Sequence, residues 1–247
     1  MDIICVICLI FRLKPIILKR NTFFLLFFLL ILFSVKGQDS SMKLKTPPYL
    51  KVGDTIAIVA PAGILVDRKE VIAKAKELVE SWGLKVVYGN NMFKQQNHFA
   101  GTDQERKEDF QKALDNPSIK AIWSARGGYG SVRILDKLDF TGFKKAPKWI
   151  IGYSDLTAFH NHINTLGIES IHGMMGNSMD EIPGEIPFTI ASFRKALFGE
   201  ELKYTIPSSE YNRLGEVNGE LVGGNISLLA SMLGSKSQIS TEGKILF

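Results

Sequence analysis

The residues with the clearest chemical potential follow a short apolar run and precede a helical pattern. The run Trp149–Ile151 ends at Gly152, and the segment Tyr153–Asp155 comes next. A serine on a tight turn between a strand and a helix presents its hydroxyl above the sheet, where N–H groups of the helix N-terminus can stabilise an oxyanion. Ser154 is therefore a candidate nucleophile, and the alternative is a serine that only caps the next helix.

The match of this turn to the nucleophile-elbow pattern G-x-S-x-G is partial. Gly152 stands two residues before Ser154, where the backbone needs room, but Leu156 occupies the position of the second glycine. The local pattern alone leaves both alternatives, nucleophile and N-cap, open.

A second candidate stretch, Arg126–Gly130, contains three glycines and one arginine directly after another apolar run. Glycines let backbone N–H groups approach a ligand closely and form an anion-binding concavity. Arg126 can bind a carboxylate bidentately and is a candidate substrate-binding residue, with a solvated arginine on a glycine-rich turn as the alternative. The spacing does not match G-x-G-x-x-G, and no cofactor is predicted.

The histidines give weaker signals than the serine. His172 follows the short segment Glu169–Ile171, and we expect it at a strand end near Ser154, as a substrate-binding residue, as a base or in a structural role. His160 lies six residues beyond Ser154, about 240° around a helix, so it faces away from the serine and is expected to be a surface or packing residue. Neither H-x-x-x-H nor H-E-x-x-H occurs, and no metal site is predicted.

Apolar runs alternate with helical patterns four times between residues 55 and 166. This alternation predicts an α/β fold with a mostly parallel sheet flanked by helices. The predicted strands span 55–60, 84–88, 119–123 and 148–152, and the predicted helices span 67–82, 102–115, 132–138 and 155–166. Because ligands bind beyond the carboxyl ends of such strands, the turns that hold Arg126 and Ser154 should meet at one edge of the sheet.

The regular alternation weakens after residue 173. Residues 49–175 are predicted to form an N-terminal nucleophile domain, and residues 176–247 a linker with part of a second, C-terminal α/β domain. An edge strand is expected at 202–206 and a helix at 226–233. The chain stops on the apolar run Ile245–Phe247, which is typical of the start of a strand, and we expect the domain to be incomplete there.

The first 37 residues differ from the rest. Basic residues precede the apolar run Phe23–Phe33, and small residues follow it, an order typical of a secretory signal peptide. We therefore expect an exported, periplasmic protein without stable membrane association after cleavage, and a tether at 38–48. The alternative is a single N-terminal membrane anchor.

Removal of this leader changes the cysteine content and the net charge of the chain. Cys5 and Cys8 both lie within it, so the remainder has no thiol nucleophile and no disulfide. The whole chain carries a formal net charge of +5, of which residues 1–37 contribute +4, leaving +1. Such a balance gives no argument for nucleic acid binding.

Together these motifs resemble the LD-carboxypeptidase family of serine peptidases, which includes muramoyl-tetrapeptide carboxypeptidases and the microcin C7 self-immunity peptidase. The resemblance spans about residues 44 to 247 and rests on five stretches in the same order. They are Thr55–Gly63, Ser124–Gly130, Gly152–Thr157, Ile171–Gly173 and Gly219–Leu229.

The resemblance implies roles for particular residues. Ser154 corresponds to the nucleophile, and the oxyanion hole is implied to use the backbone N–H of Asp155 and of a glycine in the pair Gly127–Gly128. The family triad continues with a Glu and a His, and both are implied to lie beyond Phe247. We therefore expect the 247-residue chain to be inactive alone.

The resemblance also implies a function. We expect a serine carboxypeptidase that hydrolyses an LD peptide bond in murein tetrapeptide and releases D-alanine. One alternative is a related peptidase that cleaves a peptide–nucleotide antibiotic, and another is a non-catalytic fragment or binding module. The oligomeric state is left open, with a homodimer as one candidate.

Overall fold

A five-stranded parallel sheet forms the centre of the computed structural model, which describes residues 44–180 and 186–247. The three inner strands are mainly apolar and buried, as expected for strands covered on both faces, whereas the edge strand at 85–88 is mostly exposed. Their spatial order is β2-β1-β3-β4-β5. The bounds are β1 Thr55–Val59, β2 Lys85–Tyr88, β3 Ile119–Ser124, β4 Trp149–Gly152 and β5 Ile171–His172. The predicted α/β fold with a parallel sheet is confirmed.

Seven α-helices lie among the described residues, and most connect or flank the strands. They are α1 Lys69–Ser81, α2 Asp103–Asp115, α3 Ser131–Leu135, α4 Thr141–Lys145, α5 Thr157–Thr165, α6 Ile186–Phe198 and α7 Ile226–Ser231. The capping box expected before α2 is present, because Thr102 and Glu105 exchange side-chain and backbone hydrogen bonds. Helix α4 was not predicted from the sequence.

The sheet separates two apolar cores. Alternate residues of β3 point to opposite faces, so Trp123 belongs to one core and Ile122 to the other. In the second core Phe110 of α2 stacks on Phe159 of α5, with ring centroids 4.3 Å apart. Both helices are thereby fixed against the same face of the sheet.

The parallel arrangement places the carboxyl ends of all five strands at one edge. The turns that follow β1, β3 and β4 begin at Ala60, Ala125 and Tyr153 and therefore lie side by side. The predicted meeting of the arginine-glycine turn with the serine turn follows from this topology.

The C-terminal part differs from expectation at one segment. The predicted edge strand at 202–206 is wrong, because that stretch has no regular structure and Ile206 is 82% exposed. An alternating pattern forms a strand only where a neighbouring strand accepts its hydrogen bonds. The strands β6 (Leu221–Val222) and β7 (Ile245–Leu246) instead pair with each other in parallel.

The predicted signal peptide at 1–37 lies outside the described residues, and so does most of the predicted tether at 38–48. The predicted boundary between 49–175 and 176–247 stays a prediction. In the described part of the chain, no helix combines the length and the apolar character that crossing a bilayer requires.

Candidate active site

Ser154 occupies a backbone conformation that few serines adopt. Its φ is +57°, in the left-handed region, and it opens a short 3-10 turn, Ser154–Leu156, between β4 and α5. A non-glycine residue there costs about 1–2 kcal/mol, and such strain concentrates at functional turns. The N-cap positions of the 3-10 turn and of α5 are held by Tyr153 and Leu156, so Ser154 is not the N-cap of either element.

The residues around Ser154 explain how the turn closes. A Cβ placed on Gly152 would lie 2.7 Å from Cγ of Leu156 and 3.3 Å from Cβ of Ser124, so no larger residue fits. Leu156 is fully buried and packs beneath the turn. A leucine at the second glycine position of the elbow pattern therefore supports the turn in this protein instead of obstructing it.

The glycine loop, defined here as residues 127–130, lies against the serine. A Cβ placed on Gly127 would lie 3.5 Å from Cβ of Ser154 and 3.6 Å from the backbone nitrogen of Asp155. Among the described residues, none accepts a hydrogen bond from the backbone N–H of Gly128 or of Asp155. The structure thus brings together the residues named for the oxyanion hole, and their catalytic roles stay predictions.

A third turn, after β1, holds the glycine loop from the other side. The backbone N–H of Gly63 donates to the carbonyl of Gly127 at 2.9 Å, and a Cβ on Gly63 would lie 2.7 Å from that oxygen. The close approach requires a glycine at position 63.

Arg106 supports this region and was missed in the sequence. Its side chain is fully buried, pairs with Asp103, and donates through Nη1 to the carbonyls of Pro61 and Gly130. The available signal was an arginine on the apolar face of α2, four residues before Phe110. Arg106 thereby joins the turn after β1 to the glycine loop.

Arg126, the predicted substrate-binding residue, is half-buried. Its Nη1 donates to the carbonyl of Ile64, and its Cδ lies 3.5 Å from the Cβ position of Gly63. Burial lowers the pKa of the guanidinium, and the nearby charge of Arg68 lowers it further. The side chain therefore braces the turn after β1, and a contact with a substrate carboxylate stays a prediction.

His172 lies within β5, not just after it, and pairs in register with Gly152. The residue keeps contact with solvent, and its ring packs edge-on against Phe247, with centroids 4.9 Å apart. Burial of part of the side chain lowers the pKa of His172. No hydrogen bond among the described residues joins it to Ser154. Its predicted roles in binding or as a base remain untested.

His160 packs in the interior, which is one of the two alternatives expected for it. Its Nε2 donates to the carbonyl of Gly152 at 2.8 Å, so its Nδ1 accepts from the hydroxyl of Ser170 at 2.8 Å. Burial lowers its pKa to about 4, which keeps the imidazole neutral. His160 therefore clamps the end of β4 directly before the serine turn.

A cavity of about 280 Å³ lies beside the edge strand β5. Polar side chains from α5 and β5 line it together with apolar residues from the C-terminal part. They include His160, Asn161, Asn164, Ser170, His172 and Phe247. Ser154 is not among the lining residues, so this cavity does not coincide with the predicted nucleophile.

Comparison with known proteins gives a consistent result. Residues 56–173 match the family model of the LD-carboxypeptidase N-terminal domain. A probable murein peptide carboxypeptidase of Bacillus subtilis is 38% identical over 205 residues, which cover 81% of this chain and 63% of that protein.

Two solved structures share the fold. The microcin C7 self immunity protein MccF, in complex with aspartyl sulfamoyl adenosine, has a TM-score of 0.70 and 29% identity, and the match covers 81% of this chain and 69% of that one. The muramoyltetrapeptide carboxypeptidase of Oxalobacter formigenes has a TM-score of 0.65 and 30% identity over 78% of this chain and 64% of that one.

The chain spans 63% of the length of the Bacillus subtilis relative. Within that span the matched region begins at β1 and ends directly after β5, so it contains the whole parallel sheet, the serine turn and the glycine loop. Residues 56–173 of this chain are therefore an LD-carboxypeptidase N-terminal domain.

Proposed function

We propose that this protein is a serine LD-carboxypeptidase that hydrolyses an LD peptide bond in murein tetrapeptide and releases D-alanine. One observation carries the proposal. Ser154 stands on a strained turn at the carboxyl end of β4, with Gly127 packed against it, inside the matched domain. The named function of relatives in murein peptide cleavage supports the substrate class.

The proposed chemistry is acyl transfer in two steps. The Oγ of Ser154 attacks the carbonyl carbon before the terminal D-alanine, and its proton passes through a general base to the leaving amine. The negative oxygen of the tetrahedral intermediate accepts hydrogen bonds from the backbone N–H groups of Asp155 and of Gly127 or Gly128. Water then hydrolyses the acyl-enzyme and restores the serine.

The general base is proposed to lie in the part of the longer relatives that this chain does not cover. Among the described residues, no histidine or carboxylate is hydrogen-bonded to the hydroxyl of Ser154. A serine without an adjacent base is a weak nucleophile. The 247-residue chain alone is therefore proposed to be inactive, with the activating Glu and His supplied by the C-terminal domain.

The experiment compares two proteins on a purified murein tetrapeptide. One is the 247-residue chain, and the other is the same chain followed by the C-terminal domain of the Bacillus subtilis relative. D-alanine release is expected from the second protein and not from the first. Release by the first protein that disappears in His172→Ala would instead make His172 the base and overturn this assignment.

The second candidate function follows from the likeness to MccF, which was solved with aspartyl sulfamoyl adenosine. A peptidase of that kind would cleave an aminoacyl sulfamoyl adenosine with the same serine. Assaying that compound beside the murein tetrapeptide separates the two functions, because the preferred substrate will show the higher kcat/KM.

A further inference from the structure

We propose that the Asp155 carboxylate is a positioning group that holds the glycine loop against the serine turn. This role of the carboxylate is separate from the oxyanion-hole role implied for the Asp155 backbone N–H, and the proposal rests on the proposed function. One residue would then both donate to the oxyanion and fix the distance to the second donor.

The hydrogen bonds of Asp155 carry the proposal. The side chain is 2% exposed, and its Oδ2 accepts from the backbone N–H of Ser131 at 2.8 Å. Asp155 directly follows Ser154, and Ser131 directly follows the glycine loop. The carboxylate therefore joins the serine turn to the end of the loop across 24 residues of sequence.

The other contacts of the loop lead elsewhere. The carbonyl of Gly127 accepts from Gly63, and the carbonyl of Gly130 accepts from Arg106. These hydrogen bonds fix the loop to α2 and to the turn after β1, whereas the hydrogen bond to Asp155 fixes it toward the serine turn, against which Gly127 packs.

The carboxylate is retained at a cost in stability. Its second oxygen, Oδ1, is buried and makes no hydrogen bond with the described residues. Burial raises the pKa of Asp155, and the rise is opposed by the side chain and backbone N–H of Ser131, the backbone N–H of Gly130 and the charge of Arg106. An incompletely paired buried acid argues for a functional constraint on this position, because a neutral acceptor could cap the five-residue helix α3.

Loss of this contact should affect turnover more than binding. Oxyanion-hole donors act on charge that develops in the transition state, and removing one lowers kcat by about 100-fold or more. Displacing a donor should lower kcat less than removing it. We therefore expect Asp155→Ala to lower kcat about 10-fold to 100-fold and to change KM by less than about threefold.

The test uses nuclear magnetic resonance on the full 247-residue chain, with the variants Asp155→Ala and Asp155→Asn. Asp109→Ala is the matched control, because Asp109 is also buried and its Oδ2 accepts a backbone N–H, that of Asn91, at 2.8 Å. That contact lies beside β2, three strands from β4. The measurements are the order parameters of Gly127–Gly130 and the exchange rate of the Ser131 amide.

In Asp155→Ala the order parameter of Gly128 should fall from about 0.85 to below about 0.6, and the Ser131 amide should exchange at least about 10-fold faster. Asp155→Asn keeps an acceptor and should restore both values, and Asp109→Ala should change neither. An ordered Gly128 in a folded Asp155→Ala would overturn the proposal, as would the same loss of order in Asp109→Ala.

Kinetics of the protein carrying the relative's C-terminal domain supply the second readout. A kcat loss in Asp155→Ala that Asp155→Asn restores supports the positioning role, and a loss no larger than that of Asp109→Ala contradicts it. If the unsubstituted protein releases no D-alanine, the proposed function fails, and the order of the loop alone decides whether Asp155 positions it.

Discussion

Ser154 combines a chemically useful side chain with a backbone conformation that is unfavourable for it. The left-handed φ of +57° would cost nothing to a glycine, whereas an alanine keeps the same strain. We expect Ser154→Gly to raise the free energy of unfolding by about 1 kcal/mol and Ser154→Ala to leave it nearly unchanged. Urea unfolding of both variants measures this difference, and equal stabilities would contradict the strain assigned to the turn.

Gly127 offers a test of the oxyanion position that does not touch the serine. An oxygen bound to the N–H of Asp155 would sit about 2.9 Å from that nitrogen, and a methyl group at 127 would lie 3.6 Å from it. We expect Gly127→Ala to fold and to lower kcat by about 100-fold in the protein carrying the relative's C-terminal domain.

Gly142→Ala is the matched control for that substitution, since the nearest atom to its Cβ would be 3.9 Å away. It should leave kcat unchanged. If Gly127→Ala turned over the substrate at the original rate, the position assigned to the oxyanion would be wrong.

At the scale of single residues, the sequence predicts what depends on residue type and immediate neighbours. Ser154 and Gly127 could be named because a serine after a strand and a glycine cluster after another are local signals. The contacts of Arg106 with Pro61 and of Asp155 with Ser131 could not, because their partners lie 45 and 24 residues away. Only the order of the strands brings these groups together.

At the scale of elements, the junction of β4 with α5 depends on a neutral histidine. Burial lowers the pKa of His160 from its ordinary value of 6.5 to about 4, so between these pH values the unfolded chain binds a proton that the folded chain excludes. This contribution to stability is present above pH 6.5 and is lost as the pH falls toward 4. Between pH 7 and pH 5 the loss should be about 2 kcal/mol.

Urea unfolding at the two pH values checks this expectation with His160→Gln. The variant should lack that part of the pH dependence, whereas His98→Gln, at an exposed position, should keep it. If His160→Gln lost as much unfolding free energy between pH 7 and pH 5 as the unsubstituted protein, the pKa of His160 would not differ between the folded and unfolded states.

Elements were predicted best where both periodicity and partners were regular. The inner strands β1, β3 and β4 have mainly apolar sequences, and residues on both of their faces are buried in the two cores. The pattern at 202–206 resembles a strand equally well, but no neighbour pairs with it there. Helix α4 is only five residues long and lacks the repeated apolar spacing from which helices are recognised.

At the scale of the whole molecule, the N-terminal segment bears on the compartment in which the protein acts. The order of basic, apolar and small residues in 12–37 motivates the proposal that the protein is exported and cleaved. N-terminal sequencing of the protein from the envelope fraction should find a terminus near Gln38. An uncleaved chain in the cytosol would contradict export, and an uncleaved chain in the membrane would favour the anchored alternative.

The most direct test of the central proposal is the Ser154-dependent release of D-alanine from murein tetrapeptide. The protein measured is the chain followed by the C-terminal domain of the Bacillus subtilis relative, with and without Ser154→Ala. The account predicts that the substitution lowers kcat by several orders of magnitude while the thermal unfolding midpoint stays unchanged. Release at a similar rate by a folded Ser154→Ala would remove this serine from the mechanism and contradict the account.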